Sequence, residues 1–176
     1  RWFGFVDRTV AERDITGTPL ERVLAQIAAW NWTALRGLRR RARMAGVPPL
    51  VAGSPDNIFE DVIWFAEVLR AGTARRVVEP LYFKRLHADS HSAGQGRGPA
   101  ERVRRAWILA HVQLPDAALP GAATLADRQR VVDTILRSLA TAHRKSRWFF
   151  DPGELTPPER GALIAEFLAR IGPRNG

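Results

Sequence analysis

The sequence predicts an α/β chain that is mostly helical with a few short strands, and three kinds of observation carry that reading. Segments that open on a hydroxyl residue and an acid, then repeat apolar residues every three to four positions, predict helices. Short apolar runs without that period predict strands. Stretches dense in glycine, proline and serine separate the two. At 176 residues and 45% hydrophobic, the chain is long enough for one sizeable core and short for two. Residues 1–176 are therefore expected to form a single domain or a fragment of one.

Taken in order, Trp2-Phe3-Gly4-Phe5-Val6 reads as a buried strand. Thr18-Pro19-Leu20-Glu21 is a helix start, with a hydroxyl N-cap, proline at the first helical position and a glutamate reaching back. Leu20, Val23, Leu24, Ile27 and Ala28 supply its apolar stripe. Over residues 31–43, Leu35, Leu38 and Ala42 suggest a basic surface helix that Gly37 interrupts, with Arg36, Arg39, Arg40, Arg41 and Arg43 in water. Residues 45–54 form a loop. Asp56 or Asn57 is expected to cap the next helix, which buries Ile58, Val62, Phe65, Ala66 and Leu69, turns Glu60 and Glu67 away, and stops at Gly72.

Residues 75–86 carry Val77, Val78, Leu81, Tyr82 and Phe83 and are broken by Pro80, which predicts an edge strand or two short ones. Residues 87–99 are loop. Three helices follow. Residues 99–114 keep Val103, Trp107, Ala110 and Leu114 in phase. A second helix starts at Thr124 with Asp127 behind it and buries Val131, Val132, Ile135, Leu136 and Leu139. The last opens on Thr156-Pro157-Pro158-Glu159, buries Leu163, Ile164, Phe167, Leu168 and Ile171, and ends at Gly172-Pro173.

The formal charge is +9, which raises nucleic acid or another anionic surface as a partner. Lys84 and Lys145 are the only lysines, so arginine supplies nearly all of the 27 basic residues. The absence of cysteine excludes disulfides, thiolate metal sites and cysteine nucleophiles. No apolar run approaches the roughly 20 residues of a membrane span, so the cytoplasm is the default expectation. The chain begins with Arg1 rather than Met, which predicts a longer protein.

Asp61 is the carboxylate best placed for chemistry. It falls in the first turn of its helix, where the dipole favours the ionised form, and beside Phe65 and Val68, which disfavour it. That balance suits a general base, and the same position suits an ordinary acid that stabilises a helix start. His87-Ala88-Asp89-Ser90-His91 offers alternating ligands that could wrap a divalent ion, or a solvated polar loop. Arg75, Arg76, Lys84 and Arg85 could face a diphosphate, or protect an exposed edge strand.

Three segments in order, Gly37-Leu38-Arg39-Arg40, then Phe59-Glu60-Asp61-Val62, then Glu79-Pro80-Leu81-Tyr82-Phe83-Lys84-Arg85-Leu86-His87, resemble the C-terminal half of an inverting glycosyltransferase of the GT-A, family 2-like type. The resemblance covers about residues 30–92. It implies a GT-A-like (nucleotide-diphospho-sugar transferase) fold, with residues 30–92 as the acceptor-side catalytic segment and 99–176 as a helical C-terminal extension. It makes Asp61 the base and Glu60 its partner in the acidic pair. It assigns Arg39, Arg40, Arg85 and His87 to the donor diphosphate, with His87 also at a Mn2+ or Mg2+ ion. The partners implied are a nucleotide-sugar donor and an acceptor hydroxyl.

Such enzymes carry a D-x-D metal motif ahead of this region, and neither Asp7-Arg8-Thr9 nor Asp14-Ile15-Thr16 fits it. The donor-binding half is thus expected in a preceding part of a longer enzyme, and the isolated chain is expected to be inactive. A rival reading is a basic helical module that binds nucleic acid or protein without catalysis, drawing on the net charge, the arginine cluster and six tryptophans. Against it, Trp30, Trp32, Trp64 and Trp107 sit in or beside apolar helical stripes.

Overall fold

Helix α1 (Pro19–Ala29) begins where its capping residues require. The Thr18 N–H donates to the Glu21 carboxylate at 2.8 Å, and the Glu21 N–H donates back to the Thr18 hydroxyl at 3.3 Å. Gly17 leads into this turn with φ +99°, and a Cβ there would stand 2.5 Å from the Glu21 carboxylate, so the position needs glycine.

The computed structural model describes residues 13–29, 37–49, 59–77, 100–145 and 156–172. Within them follow α2 (Arg41–Met44), α3 (Glu60–Ala71), α4 (Ala100–Ala118), a 3-10 turn (Leu119–Gly121), α5 (Leu125–Lys145) and α6 (Pro157–Ile171). The described residues are 73% helical, so the expectation of a mostly helical chain holds. Among them, extended pairing is confined to one antiparallel bridge, Ile15 with Ala74, closed by N–H···O bonds of 2.9 and 3.0 Å. The expected strand at residues 2–6 lies outside the described residues, as does 78–86 of the one expected over 75–86, whose described residues 75–77 are not in a strand. No described helix is long and apolar enough to cross a membrane.

The core forms where α1, α3, α4 and α5 meet. Leu20, Val23, Leu24 and Ile27 of α1 pack with Ala66, Leu114, Val131 and Ile135. Phe59 and Val62 meet Ala106, Trp107 and Ala110 of α4, and Ile15 lies on Phe65 and Leu69. Thr124 and Asp127 cap α5 reciprocally at 3.1 and 3.2 Å, as Thr156 and Glu159 cap α6, and Gly72 and Gly172 end α3 and α6.

Several expectations are corrected. Helix α4 does not stop at Leu114. It continues through Pro115 to Ala118, because buried Ala117 and Ala118 hold the last turn against the core despite the hydrogen bond that proline removes. The expected helix over 31–43 is reduced, among described residues, to the single turn α2, as Gly37 and the crowded arginines would dictate. Leu136, Ile164 and Leu168 are exposed, at 48%, 57% and 56%, although helical spacing puts them beside core positions. Ala28 is exposed as well, while Arg22 and Gln26 of the same helix are buried.

Arg22 explains its own burial. Its guanidinium donates to the Leu69 carbonyl at 2.6 Å, the Arg70 carbonyl at 2.9 Å and the Gly17 carbonyl at 2.5 Å. Two of these are among the last carbonyls of α3, which lack intrahelical donors and carry the negative end of the dipole. Arg128 treats α6 in the same way, donating to Ile171 and Gly172 carbonyls at 3.0 Å each. Arg170 pairs with Glu166 one turn back in α6 at 2.8 Å and ties that helix to Asp116 of α4.

His111 is a core residue, 1% exposed. Its Nδ1–H donates to the Trp107 carbonyl at 2.8 Å, which leaves Nε2 to accept from the Ser138 hydroxyl at 3.1 Å. Burial pushes its pKa down to about 4, against the bond to Trp107 that raises it.

Two measurements test this account. Arg22→Met keeps an apolar stem but strips three carbonyls of their donor, and should lower the unfolding free energy by about 2–4 kcal/mol in urea titrations. A loss below about 1 kcal/mol would mean that water caps α3 equally well. Between its depressed native pKa and the ordinary value of 6.5, the unfolded chain takes up a proton at His111 that the native chain refuses. Its contribution is therefore full above pH 6.5 and is lost as pH falls toward 4. Wild type should lose about 2 kcal/mol between about pH 7.5 and 5 through this group, a slope that His111→Asn abolishes.

Candidate active site

The N-terminus of α3 is set by an unusual residue. Phe59 occupies the N-cap with φ 69° and ψ 2°, a left-handed conformation that a bulky side chain rarely adopts. Packing holds it there: the ring is 4% exposed and meets Trp107 edge-on at 5.2 Å between centroids. The Phe59 carbonyl accepts from Val62 at 3.1 Å and Ile63 at 3.4 Å, which starts the helix directly at Glu60. The N-cap is thus Phe59 rather than Asp56 or Asn57, which lie outside the described residues.

Glu60 and Asp61 consequently occupy the first turn, both partly buried. The positive end of the helix dipole lies at this turn. One turn on stands Trp64, whose indole N–H donates to the Pro48 carbonyl at 2.8 Å. The guanidinium carbon of Arg39 lies 4.7 Å from the centroid of the Trp64 ring, a cation–π contact. Trp64 is three residues from Asp61 and four from Glu60, the separations at which side chains neighbour one another on a helix. The fold therefore brings Arg39 to the same end of α3 as the acidic pair.

The other predicted site residues fare differently. Arg40 is exposed at the N-cap of α2. Arg85 and His87 lie outside the described residues, as do Lys84 and the loop to His91. Arg75 is engaged elsewhere: it pairs with Asp14 at 2.7 Å, and the Arg76 N–H donates to the same carboxylate at 2.8 Å. These bonds hold the Asp14 carboxyl below its usual range, the backbone one most strongly. Glu67, expected to face away into water, is 16% exposed and pairs with Arg70 at 2.5 Å. Burial raises its pKa against that ion pair.

Among the described residues no three of His, Cys, Asp or Glu gather as a metal site. A cleft of about 480 Å³ opens between the starts of α1 and α5, lined by Thr18, Glu21, Arg70, Gly121, Asp127 and Arg130. Its charges are already matched. Arg130 pairs with Asp127 at 3.4 Å, Arg70 with Glu67, and Glu21 serves the N-cap. None of the predicted site residues lines it.

Sequence reasoning missed Trp64 and Phe59. Trp64 stands at helical spacing from Asp61, a signal that could have marked it as the platform beside the acids. Phe59 gave no such signal, because a left-handed residue is anticipated at glycine or asparagine. Compared with known proteins, the chain matches no family model, no curated protein and no solved structure.

The conformation of Phe59 gives an inverted substitution order. Phe59→Ala loses the contact with Trp107 and keeps the strained backbone. Phe59→Gly loses the same contact and relieves the strain, so it should be the more stable of the two by about 1 kcal/mol. Thermal or urea denaturation decides it, and an alanine variant more stable than the glycine one would remove the left-handed N-cap from the site.

Proposed function

We propose that this chain is the acceptor-side part of an inverting, GT-A-like glycosyltransferase in which Asp61 is the general base. The observation that carries the reading is the convergence at the start of α3, where Glu60 and Asp61 open the helix and Arg39 is held over Trp64 one turn away. The three belong to two segments that the resemblance links, and the fold brings those segments together. A carboxylate in the first turn of a helix can take a proton from an acceptor hydroxyl.

In the reaction, the acceptor oxygen attacks the anomeric carbon as its proton passes to Asp61. The bond from that carbon to the nucleotide diphosphate breaks, and the diphosphate leaves with the electron pair. Glu60 shares the same helix start and adds to the negative field there. Arg39, fixed on Trp64, offers guanidinium N–H groups to diphosphate oxygens, with Arg40, Arg85 and His87 as further donor contacts. The resemblance implies Mn2+ or Mg2+ as well. Among the described residues no three His, Asp or Glu side chains gather to hold such an ion.

The second reading, a nucleic-acid-binding module, draws on the exposed arginines of α2. The two described tryptophans are committed elsewhere, Trp107 in the core and Trp64 beneath Arg39, so base stacking gains no support from them. A steep fall in DNA affinity with rising salt would favour this reading.

The decisive variant is Asp61→Asn, which preserves the side-chain shape and removes its proton affinity. In the full-length protein with its sugar donor, turnover should fall about 10²- to 10⁴-fold. Stability should change by less than about 1 kcal/mol, the size of a helix-dipole contribution. Glu60→Gln should cost less turnover. If Asp61→Asn keeps more than about half of wild-type turnover, another group is the base.

A further inference from the structure

The described surface arginines differ in their partners. Arg75, Arg105, Arg130, Arg137 and Arg170 each stand against a carboxylate, Asp14, Glu159, Asp127, Asp133 and Asp116 respectively. Arg40, Arg41 and Arg43 are exposed and make no ion pair with any described carboxylate. Three uncompensated guanidinium groups within four residues repel one another. They therefore gain from any anionic surface that can lie across them all.

The patch is also held in place. The Arg43 N–H donates to the Arg40 carbonyl at 2.9 Å, which closes the turn that carries these arginines. Arg39 is clamped on Trp64 and Pro48 accepts from the Trp64 indole, which fasten both flanks of the turn to α3. Beside the arginines stands Leu38, at 104% exposure the most solvent-exposed large apolar residue described.

We propose that residues 38–43 dock this protein on an anionic lipid surface. Clustered arginines meet acidic headgroups, and the adjacent leucine enters the boundary between headgroups and acyl chains. Leu38 decides between lipid and nucleic acid. A phosphate backbone offers an apolar side chain no place to be buried, whereas a bilayer does. A helix of four residues is also too short to follow a groove. The inference stands on α2 alone and does not require the assignment of Asp61.

Sedimentation with vesicles tests it on the whole chain, comparing phosphatidylcholine with a mixture containing about one third phosphatidylglycerol. Wild type should bind the anionic vesicles alone, and lose them when salt rises from about 0.1 to 0.5 M. The variant Arg40→Gln/Arg41→Gln/Arg43→Gln should bind on the order of 10²-fold more weakly, about fivefold for each arginine. Leu38→Ser should weaken binding about five- to tenfold with no change of charge. Arg105→Gln/Arg130→Gln/Arg137→Gln, which removes the same charge elsewhere, should stay within about threefold of wild type. The side chains of residues 38, 40, 41 and 43 are exposed, so these variants should keep the wild-type melting temperature. Equal weakening by the two triple variants would overturn the proposal in favour of diffuse net charge. Failure of wild type to bind, an unaffected Leu38→Ser, or tighter binding to duplex DNA than to anionic vesicles would overturn it as well.

Discussion

Helix α3 carries the acidic pair at one end and is anchored at the other by a buried cation. The Arg22 guanidinium, projecting from α1, donates to carbonyls of Leu69, Arg70 and Gly17. Burying a charge without a counter-ion is ordinarily costly. Here the acceptors are helix-terminal carbonyls that would otherwise be buried without donors, so one side chain answers two desolvation problems. The bond pattern also fixes α1 against α3, because three directional contacts leave little freedom for either helix to slide. With those helices set, the apolar faces that meet α4 and α5 fall into place.

Arg128 repeats the device on α6, with the same chemistry and the same geometry: an arginine near the start of one helix caps the end of another. A guanidinium suits this role better than an ammonium group, since its planar fork reaches several carbonyls at once. The recurrence gives part of the chain's arginine content a structural explanation. What remains on the surface is then more informative: among the described residues Arg75, Arg105, Arg130 and Arg137 pair with acids, while Arg40, Arg41 and Arg43 pair with no described carboxylate.

The two ends of α3 show opposed physical character. At its C-terminus the Leu69 and Arg70 carbonyls accept from the Arg22 guanidinium. At its N-terminus the backbone is held in a strained conformation by packing of Phe59 on Trp107, and the side chains beyond it are carboxylates with a tryptophan-bound arginine nearby. Strain of this kind persists only where surrounding contacts over-determine it, and it collects at functional positions. A helix anchored at one end can hold such a segment, since its own position does not depend on it.

Local chemistry determined what the amino-acid sequence made legible. The capping boxes at Thr18, Thr124 and Thr156 and the stops at Gly72 and Gly172 involve residues within one helical turn of each other, so spacing alone located them. The buried faces of α1 and α3 followed from periodicity for the same reason, as did Glu60 and Asp61 at a helix start. Tertiary structure decided the rest, because those choices depend on which surfaces meet. Arg22 and Gln26 are buried because another helix lies over them, whereas Ile164 and Leu168, equally apolar in pattern, are not covered. Helix α4 passes through Pro115 because core packing outweighs a lost hydrogen bond. Phe59 became an N-cap because a ring forty-eight residues away holds it, and Arg39 joined the acidic pair because Trp64 offered it a face. No spacing rule carries such contacts, since their partners are set by the three-dimensional meeting of helices and not by distance along the chain.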